Sequence, residues 1–320
     1  MRNNTLPPIQ PNNSNQLILF RELLEYWATI QDQDADYQLL RELVLKYAHA
    51  EKKLSTLNRE LLEKQERLDE DLKAASEIQQ SLLPKRLPQI HSMEFAWKFI
   101  PSEIIGGDIF NVFYIDDEHI GLYMLDVSGH GVPAAMITVS VSQMLQTQQD
   151  FLIRAGNKDK KKLSPQHILN TLDHEYPIER FDKFFTIIYL IININSGRLM
   201  YSNAGHPPPI LLHSDGNYEL LNKGGTIIGM GGLIPFEEET KQLQKGDKLI
   251  LYTDGMTEYL SKNKEYYGIE RVLKTVCQRK DDSIQIILNE MLASMMYFGD
   301  HVSVQDDISI LGIHFNGNIK

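Results

Sequence analysis

The feature that most limits how this chain can fold is a stretch without glycine or proline, from Tyr37 to Leu83. Apolar residues recur within it in alternating steps of three and four, the spacing of a coiled-coil seam. The seam consists of Leu40, Leu43, Tyr47, Ala50, Leu54, Leu57 and Leu61. The apolar repeat then continues in a shifted register at Leu68, Leu72, Ala75 and Leu82, as expected if one stutter interrupts the coiled coil. The stretch predicts one long helix, either packed on its own domain or, as we favour, dimerising and signalling.

Prolines and composition divide the chain into three predicted parts. Pro84 and Pro88 end the long helix, because each removes a backbone donor and restricts the residue before it. Residues 1–16 are rich in Asn, Pro and Gln, which predicts a mobile tail. Residues 17–83 form a helical regulatory or dimerising segment, and residues 84–320 form the main domain.

Composition argues against several classes of protein. The formal net charge of −11 disfavours a nucleic-acid partner, since non-specific binding to DNA or RNA relies on a basic surface. The single cysteine, Cys277, excludes an intrachain disulfide and is typical of a reducing compartment. No window is apolar enough to span a bilayer, and the first residues lack the core of a signal peptide. We therefore expect a cytoplasmic protein without membrane insertion.

Short apolar runs alternate with helical patterns after residue 84. Strands are predicted at 93–100, 108–115, 120–126, 184–194, 198–203, 208–213, 248–253 and 308–315. Helices are predicted at 133–148, 164–175, 268–279 and 283–298. This order predicts an α+β fold with antiparallel sheets rather than repeated βαβ units.

Aspartates stand at the ends of the predicted strands. A hairpin whose turn is centred on Asp117 places Asp108 directly opposite Asp126, with Cβ atoms about 5 Å apart. Two ionised carboxylates at that distance repel each other, and a shared cation would resolve the conflict. Asp126 is followed by a glycine-rich loop and a new helix, so its carboxylate is a candidate ligand for a hard cation.

Two further segments repeat this construction. Asp254 follows the strand at 248–253, and Asp306 and Asp307 precede the last strand. Oxygen ligands suit Mg²⁺ or Mn²⁺ better than zinc, and roughly four carboxylates would balance two divalent ions. Any one of these aspartates could instead be a turn or cap residue. Their recurrence at separate strand ends favours a metal site.

Six short motifs, in this order, resemble the signature of SpoIIE/RsbU-type bacterial PPM serine/threonine phosphatases over about residues 76–315. They lie at 77–84, 106–108, 126–131, 203–207, 252–258 and 306–308. The resemblance implies a β-sandwich of two antiparallel sheets flanked by helices. It also implies a centre of two Mn²⁺ or Mg²⁺ ions at one end of the sandwich.

The resemblance also implies the ligands of that centre. Asp126 would bridge the two metals, and the carbonyl of Val127 would be a further ligand. Asp108, Asp254 and Asp306 match the remaining carboxylate positions.

Three nearby residues have less defined roles. Asp307 would orient ligands or solvent. His130 is either the proton donor to the leaving seryl oxygen or a structural residue, since an imidazole titrates near neutral pH. Asn111 stands where many family members carry a second acid, so the interaction made by that acid is in doubt here.

The predicted function is metal-dependent hydrolysis of phosphoserine or phosphothreonine on a regulatory protein. By the resemblance, the substrate is a STAS-type anti-anti-sigma protein in a partner-switching pathway that controls a sigma factor. An upstream activating protein or sensor would act through the N-terminal helix of a homodimer. One alternative is a catalytically silent module that binds a phosphoprotein. A GGDEF-type nucleotide cyclase is disfavoured, because the acid expected after Gly-Gly-Asp is missing.

Overall fold

A computed structural model describes residues 35–84, 87–102, 104–155 and 164–317 of the 320-residue chain. The chain divides into two compact units, one up to Arg67 and one from Leu68 onward. The predicted tail at 1–16 and the start of the predicted helical segment, residues 17–34, lie outside the described residues. No helix in the described ranges is both long and apolar enough to cross a membrane.

Eleven strands form two sheets in the described part of the chain. They are β1 Met93–Ile100, β2 Ile109–Tyr114, β3 His119–Val127, β4 Phe185–Asn193, β5 Arg198–Ala204, β6 Ile210–Leu212, β7 Tyr218–Leu220, β8 Gly224–Gly225, β9 Glu239–Gln242, β10 Lys248–Tyr252 and β11 Ile308–Phe315. The first sheet has the order β1-β11-β10-β6-β7. The second has the order β2-β3-β4-β5-β8, and β9 also pairs with β5.

Helices precede, connect and cover the sheets. They are α1 Ala35–Gln80, α2 Gly131–Ala155, α3 Pro165–Glu175, α4 Ile178–Phe181, α5 Asp254–Thr257, α6 Ile269–Gln278 and α7 Ile284–Phe298. Local signals start some of them. Ser164 caps α3 by accepting a hydrogen bond from the His167 amide, and Pro165 occupies its first turn.

The two sheets pack face to face around the main core. That core combines residues of β3 and β4, such as Leu122 and Ile188, with Leu251 and Leu311 of the first sheet. A second core lies on the other face of the first sheet, where α6 and α7 cover it. Because helices cover both outer faces, the central strands are buried nearly throughout their length.

The predicted fold class, two sheets in a sandwich flanked by helices and preceded by a long helix, is confirmed. All eight predicted strands and all four predicted helices of the main domain are present. One detail is wrong: the second sheet is not purely antiparallel, because β8 pairs with β5 in parallel. The pattern also missed β7, β8 and β9, whose two to four residues are too few to show alternation.

Candidate metal centre

The hairpin of β2 and β3 brings the first two candidate aspartates together. Ile109 pairs with Leu125, and the same register carried one residue further sets Asp108 opposite Asp126. The Asp126 carboxyl lies within hydrogen-bonding reach of those of both Asp108 and Asp254. The opposed arrangement predicted from the turn is therefore confirmed, and Asp126 stands between two other acids.

The other aspartates come from the first sheet. Asp254 directly follows β10 and begins α5, and Asp306 and Asp307 directly precede β11. These two strands are antiparallel neighbours, so the end of one and the start of the other meet at one edge of the sheet. The five predicted acids thus converge at one end of the sandwich, contributed by both sheets.

Two hydroxyl groups that the sequence reasoning missed hold Asp108 in place. The hydroxyls of Thr253 and Ser309 each donate to Asp108 Oδ2 at 2.8 Å. The Thr253 hydroxyl oxygen also accepts from the Ser309 amide at 2.9 Å. The signal for both residues was their place beside the aspartate motifs, Thr253 before Asp254 and Ser309 two residues after Asp307.

Asp307 makes a different set of contacts from the other aspartates. Its Oδ1 accepts from the amide and the hydroxyl of Ser102 at 2.8 and 3.0 Å, and its Oδ2 accepts from the Gly107 amide at 2.9 Å. The residue is nearly fully buried. These bonds attach the start of β11 to the loop that carries Asp108. The predicted role of Asp307 in orienting ligands or solvent stays a prediction.

Burial and mutual repulsion raise the pKa values of the clustered acids. Burial, followed by the charges of Asp254, Asp306 and Asp307, raises the pKa of Asp126 to about 8. Burial also raises the pKa of Asp108 well above its ordinary value, with the Asp126 charge as the next cause. The pKa values of Asp254 and Asp306 are raised as well, chiefly by burial. Without a cation, these acids hold protons that ordinary aspartates release.

The residues fit hard divalent cations by the chemistry of their donors. Carboxyls that touch in pairs need a proton or a cation between them, and the predicted ligands are all oxygen donors. A Cβ added at Gly107 would lie 2.8 Å from the carbonyl oxygen of Val127, so glycine leaves that oxygen accessible. Among the described residues, no three acidic, histidine or cysteine side chains surround one point at ligand distances. Backbone carbonyl and water oxygens would have to complete any coordination shell.

His130 and Asn111 differ in their relation to the aspartates. Burial raises the pKa of Asp306, and His130 lies near enough to that carboxyl for its charge to offset part of the rise. Asn111 accepts a hydrogen bond from the Val112 amide at 2.8 Å and interacts with the Tyr123 hydroxyl. Its contacts in the structure are therefore those of a strand residue within β2.

The Asn203 to Pro207 motif forms a turn behind the site. The Asn203 side chain accepts from the His206 amide at 2.8 Å and donates to the His206 carbonyl at 2.9 Å. The His206 ring contacts the Thr186 hydroxyl at 2.9 Å, and Thr186 is the β4 partner of Asp126. Burial lowers the pKa of His206 to about 3, which keeps the ring neutral. The motif therefore supports the strand next to Asp126.

Two packed sheets flanked by helices, with acids converging at one end, define the fold of the PP2C, or PPM, phosphatases. The SiaA-PP2C domain of Pseudomonas aeruginosa superposes with a TM-score of 0.66 and 20% identity, over 78% of this chain and 98% of that one. The phosphatase domain of Bacillus subtilis SpoIIE, solved with a fragment of its regulatory domain, gives a TM-score of 0.60 and 15% identity, over 71% of this chain and 63% of that one.

The family follows from sequence. The model of the family described as Stage II sporulation protein E (SpoIIE) matches residues 116–316, and this chain belongs to that family. Protein IcfG of Synechocystis sp. is 30% identical over 271 residues, which cover 77% of this chain and 42% of IcfG. Phosphoserine phosphatase RsbP of Bacillus subtilis is 34% identical over 160 residues, which cover 48% of this chain and 37% of RsbP. The chain therefore matches less than half the length of these two relatives.

Proposed function

We propose that this chain is a metal-dependent protein serine/threonine phosphatase. The observation that carries the proposal is the set of buried acids from both sheets, in which Asp126 touches Asp108 and Asp254. RsbP, and RsbU of Bacillus subtilis at 24% identity, are both named phosphoserine phosphatases. The family relation and the site chemistry support the same reaction.

The chain's own residues would hold two Mn²⁺ or Mg²⁺ ions and position the phosphate. Asp126 would be the ligand shared by the two ions, the Val127 carbonyl would be a further ligand, and Asp108, Asp254 and Asp306 would supply the other carboxylates. The ions supply Lewis acidity toward water and toward the phosphoryl oxygens. The hydroxyls that hold Asp108 pre-orient one of these ligands before any ion arrives.

Departure of the seryl oxygen requires a proton. His130 stands in the loop after Asp126 and near Asp306, which makes it the candidate donor in this chain. His206 is a poorer candidate, since it is buried and its pKa is lowered to about 3.

Turnover of an aryl phosphate tests the proposal. With added Mn²⁺ we expect release of the aryl alcohol, abolished by chelation and by Asp126→Ala. Asp281→Ala is a matched control, because Asp281 is an exposed aspartate remote in sequence from the site motifs. No turnover by the wild-type protein, on this compound or on any phosphoprotein, would support the alternative of a silent phosphoprotein-binding module.

The proposed physiological substrate is a phosphoserine or phosphothreonine on a STAS-type anti-anti-sigma protein, in a partner-switching pathway. The support is the family relation and the names of RsbU and RsbP, which act on phosphoserine. Capture of a phosphoprotein from cell extract by a variant with a disabled metal site would test it. A captured phosphoprotein without a STAS domain, which the wild-type protein dephosphorylates, would refute the assignment.

We also propose that the N-terminal helical segment regulates the phosphatase domain. Near the end of α1, the Gln79 side chain donates to the Gly106 carbonyl at 2.7 Å and accepts from the Gly106 amide at 3.3 Å. Gly106 lies two residues before Asp108. A partner or sensor that moves or twists this end of the helix would therefore act directly on a loop that carries a proposed ligand.

A pair of neighbouring glutamines tests this coupling. We expect Gln79→Ala to alter turnover and its response to an activating partner, because both bonds to Gly106 are lost. Gln80→Ala is the matched control, since the Gln80 side chain bonds within the helix, to Ser76, in the part of the chain that the structure describes. Equal kinetics and equal partner response in the two variants would exclude a regulatory role for the Gly106 contact.

The coiled-coil seam supports a homodimer. Seam residues Leu43, Leu54, Leu57 and Leu61 are each more than half exposed in the single chain. We expect Leu54→Glu to shift the protein from dimer to monomer in light scattering. Leu62→Glu is the control, because Leu62 is equally exposed but lies off the seam. A wild-type monomer at micromolar concentration would refute the dimer.

A further inference from the structure

The proposed centre remains anionic when it is filled. Five aspartates contribute five negative charges, and two divalent ions contribute four positive ones. The incoming phosphomonoester carries up to two negative charges of its own. An electrostatically favourable site therefore needs a basic side chain beside the ions, in addition to the ligands.

Lys183 supplies a basic group at the glycine loop that follows Asp126. Its Nζ atom lies 2.9 Å from the position that a Cβ would take on Gly129. Gly129 stands between the proposed ligand Val127 and His130. The ammonium group therefore lies against the backbone of the loop that carries both residues.

Hydrogen bonds between Ser128 and Phe184 hold the residue after Lys183 against the loop that follows Asp126. The Ser128 amide donates to the Phe184 carbonyl at 2.9 Å, and the Phe184 amide donates to the Ser128 hydroxyl at 3.2 Å. The last pair of the β3–β4 register is Val127 with Phe185, and these bonds continue the contact to Ser128 and Phe184. Lys183 directly precedes Phe184, which keeps it next to the loop that follows Asp126.

Lys183 is half-buried and is not committed to another charge. Among the residues that the structure describes, it has no carboxylate within ion-pair distance. Arg180, three residues earlier, has its guanidinium over the Phe181 ring at 4.9 Å. A half-buried ammonium beside the loop that carries Val127 and His130, with no carboxylate at ion-pair distance among the described residues, is available to an anionic ligand.

We propose that Lys183 is a phosphate-binding residue, whose ammonium group contacts the phosphoryl oxygens of the substrate and of the orthophosphate product. This inference rests on the proposed phosphatase function and adds a residue that the family motifs do not include. Its role is to bind and orient the phosphoryl group. It does not hold the ions.

Kinetics of lysine variants test the proposal on full-length protein with Mn²⁺ and p-nitrophenyl phosphate. We expect Lys183→Gln to raise both KM and the inhibition constant of orthophosphate about tenfold, since one charge-assisted hydrogen bond is lost. Lys183→Arg should recover most of the loss. Arg180→Gln, which removes a nearby positive charge, should leave both constants within about twofold of wild type. Unchanged constants in a folded Lys183→Gln protein would overturn the proposal.

A second measurement needs neither a variant nor turnover. Orthophosphate with Mn²⁺ should slow the acetylation of Lys183 in the wild-type protein, while the exposed Lys274 reacts at an unchanged rate. Equal acetylation of Lys183 with and without orthophosphate would refute the contact. Absence of wild-type turnover would instead refute the phosphatase function, so the two failures are distinguishable.

Discussion

Replacing Asp126 with asparagine should stabilise the metal-free protein at pH 8 while abolishing its activity. In the folded chain, burial and neighbouring acids raise the pKa of Asp126 from 3.8 to about 8. The folded state therefore holds a proton that the unfolded state releases. Because the folded pKa is the higher one, the free energy of unfolding falls as pH rises from about 4 to about 8.

The size of the effect follows from the two pKa values. Each pH unit between them costs about 1.4 kcal/mol, so full ionisation of Asp126 costs up to about 6 kcal/mol. Proton sharing with Asp108 and local relaxation reduce this cost. We expect Asp126→Asn to gain about 2 to 3 kcal/mol at pH 8, which is roughly 5 to 10 °C in Tm for a domain of this size.

Thermal denaturation of chelator-treated protein between pH 4 and pH 8.5 measures this difference. Wild type should lose stability as pH rises, and Asp126→Asn should lose much less, so the two curves meet near pH 4. Asp281→Asn should follow the wild-type curve, since its side chain is 87% exposed. Added Mn²⁺ should reverse the order by stabilising wild type alone. A variant less stable than metal-free wild type at pH 8 would refute the reasoning.

Three other substitutions test the surroundings of the site. Thr253→Val removes a hydroxyl donor from the buried Asp108 and should cost about 1 to 3 kcal/mol in urea denaturation, whereas Thr253→Ser should cost less. Asp173→Asn should lower the free energy of unfolding by a similar amount, because the buried Asp173 carboxylate accepts hydrogen bonds from backbone amides of the loop 229–232. The same change should speed hydrogen exchange in that loop alone. Gly255→Ala would place a Cβ 2.1 Å from a backbone carbonyl oxygen and should lower Tm by 5 °C or more.

The sequence predicted those parts of the fold that depend on local pattern. Alternation and apolar runs located the long strands, and the symmetric turn at Asp117 gave the register that opposes Asp108 to Asp126. The family motifs predicted that the remaining aspartates lie at the same metal site. These signals suffice because each depends on neighbours within a few residues or on a short spacing within one motif.

Other parts depend on contacts between distant segments and left no local signal. The pairing of β8 with β5 joins two glycines to Asn203 and Ala204, and a pair of glycines shows no strand pattern. Gln79 resembles any polar residue at a helix end, although its side chain reaches Gly106. The loop 229–232 is held by the carboxylate of Asp173, although the sequence around Asp173 shows only an ordinary acid within a helix.

The division of the acids between the two sheets has a mechanical consequence. Asp108 and Asp126 belong to one sheet, and Asp254 and Asp306 belong to the other. Ions held by all four would cross-link the two sheets at this end of the sandwich. Relative sliding of the sheets would then alter the spacing of the ligands, and loss of the ions would loosen the sandwich. The same contacts that prepare the chemistry would thereby set how firmly one sheet is held against the other.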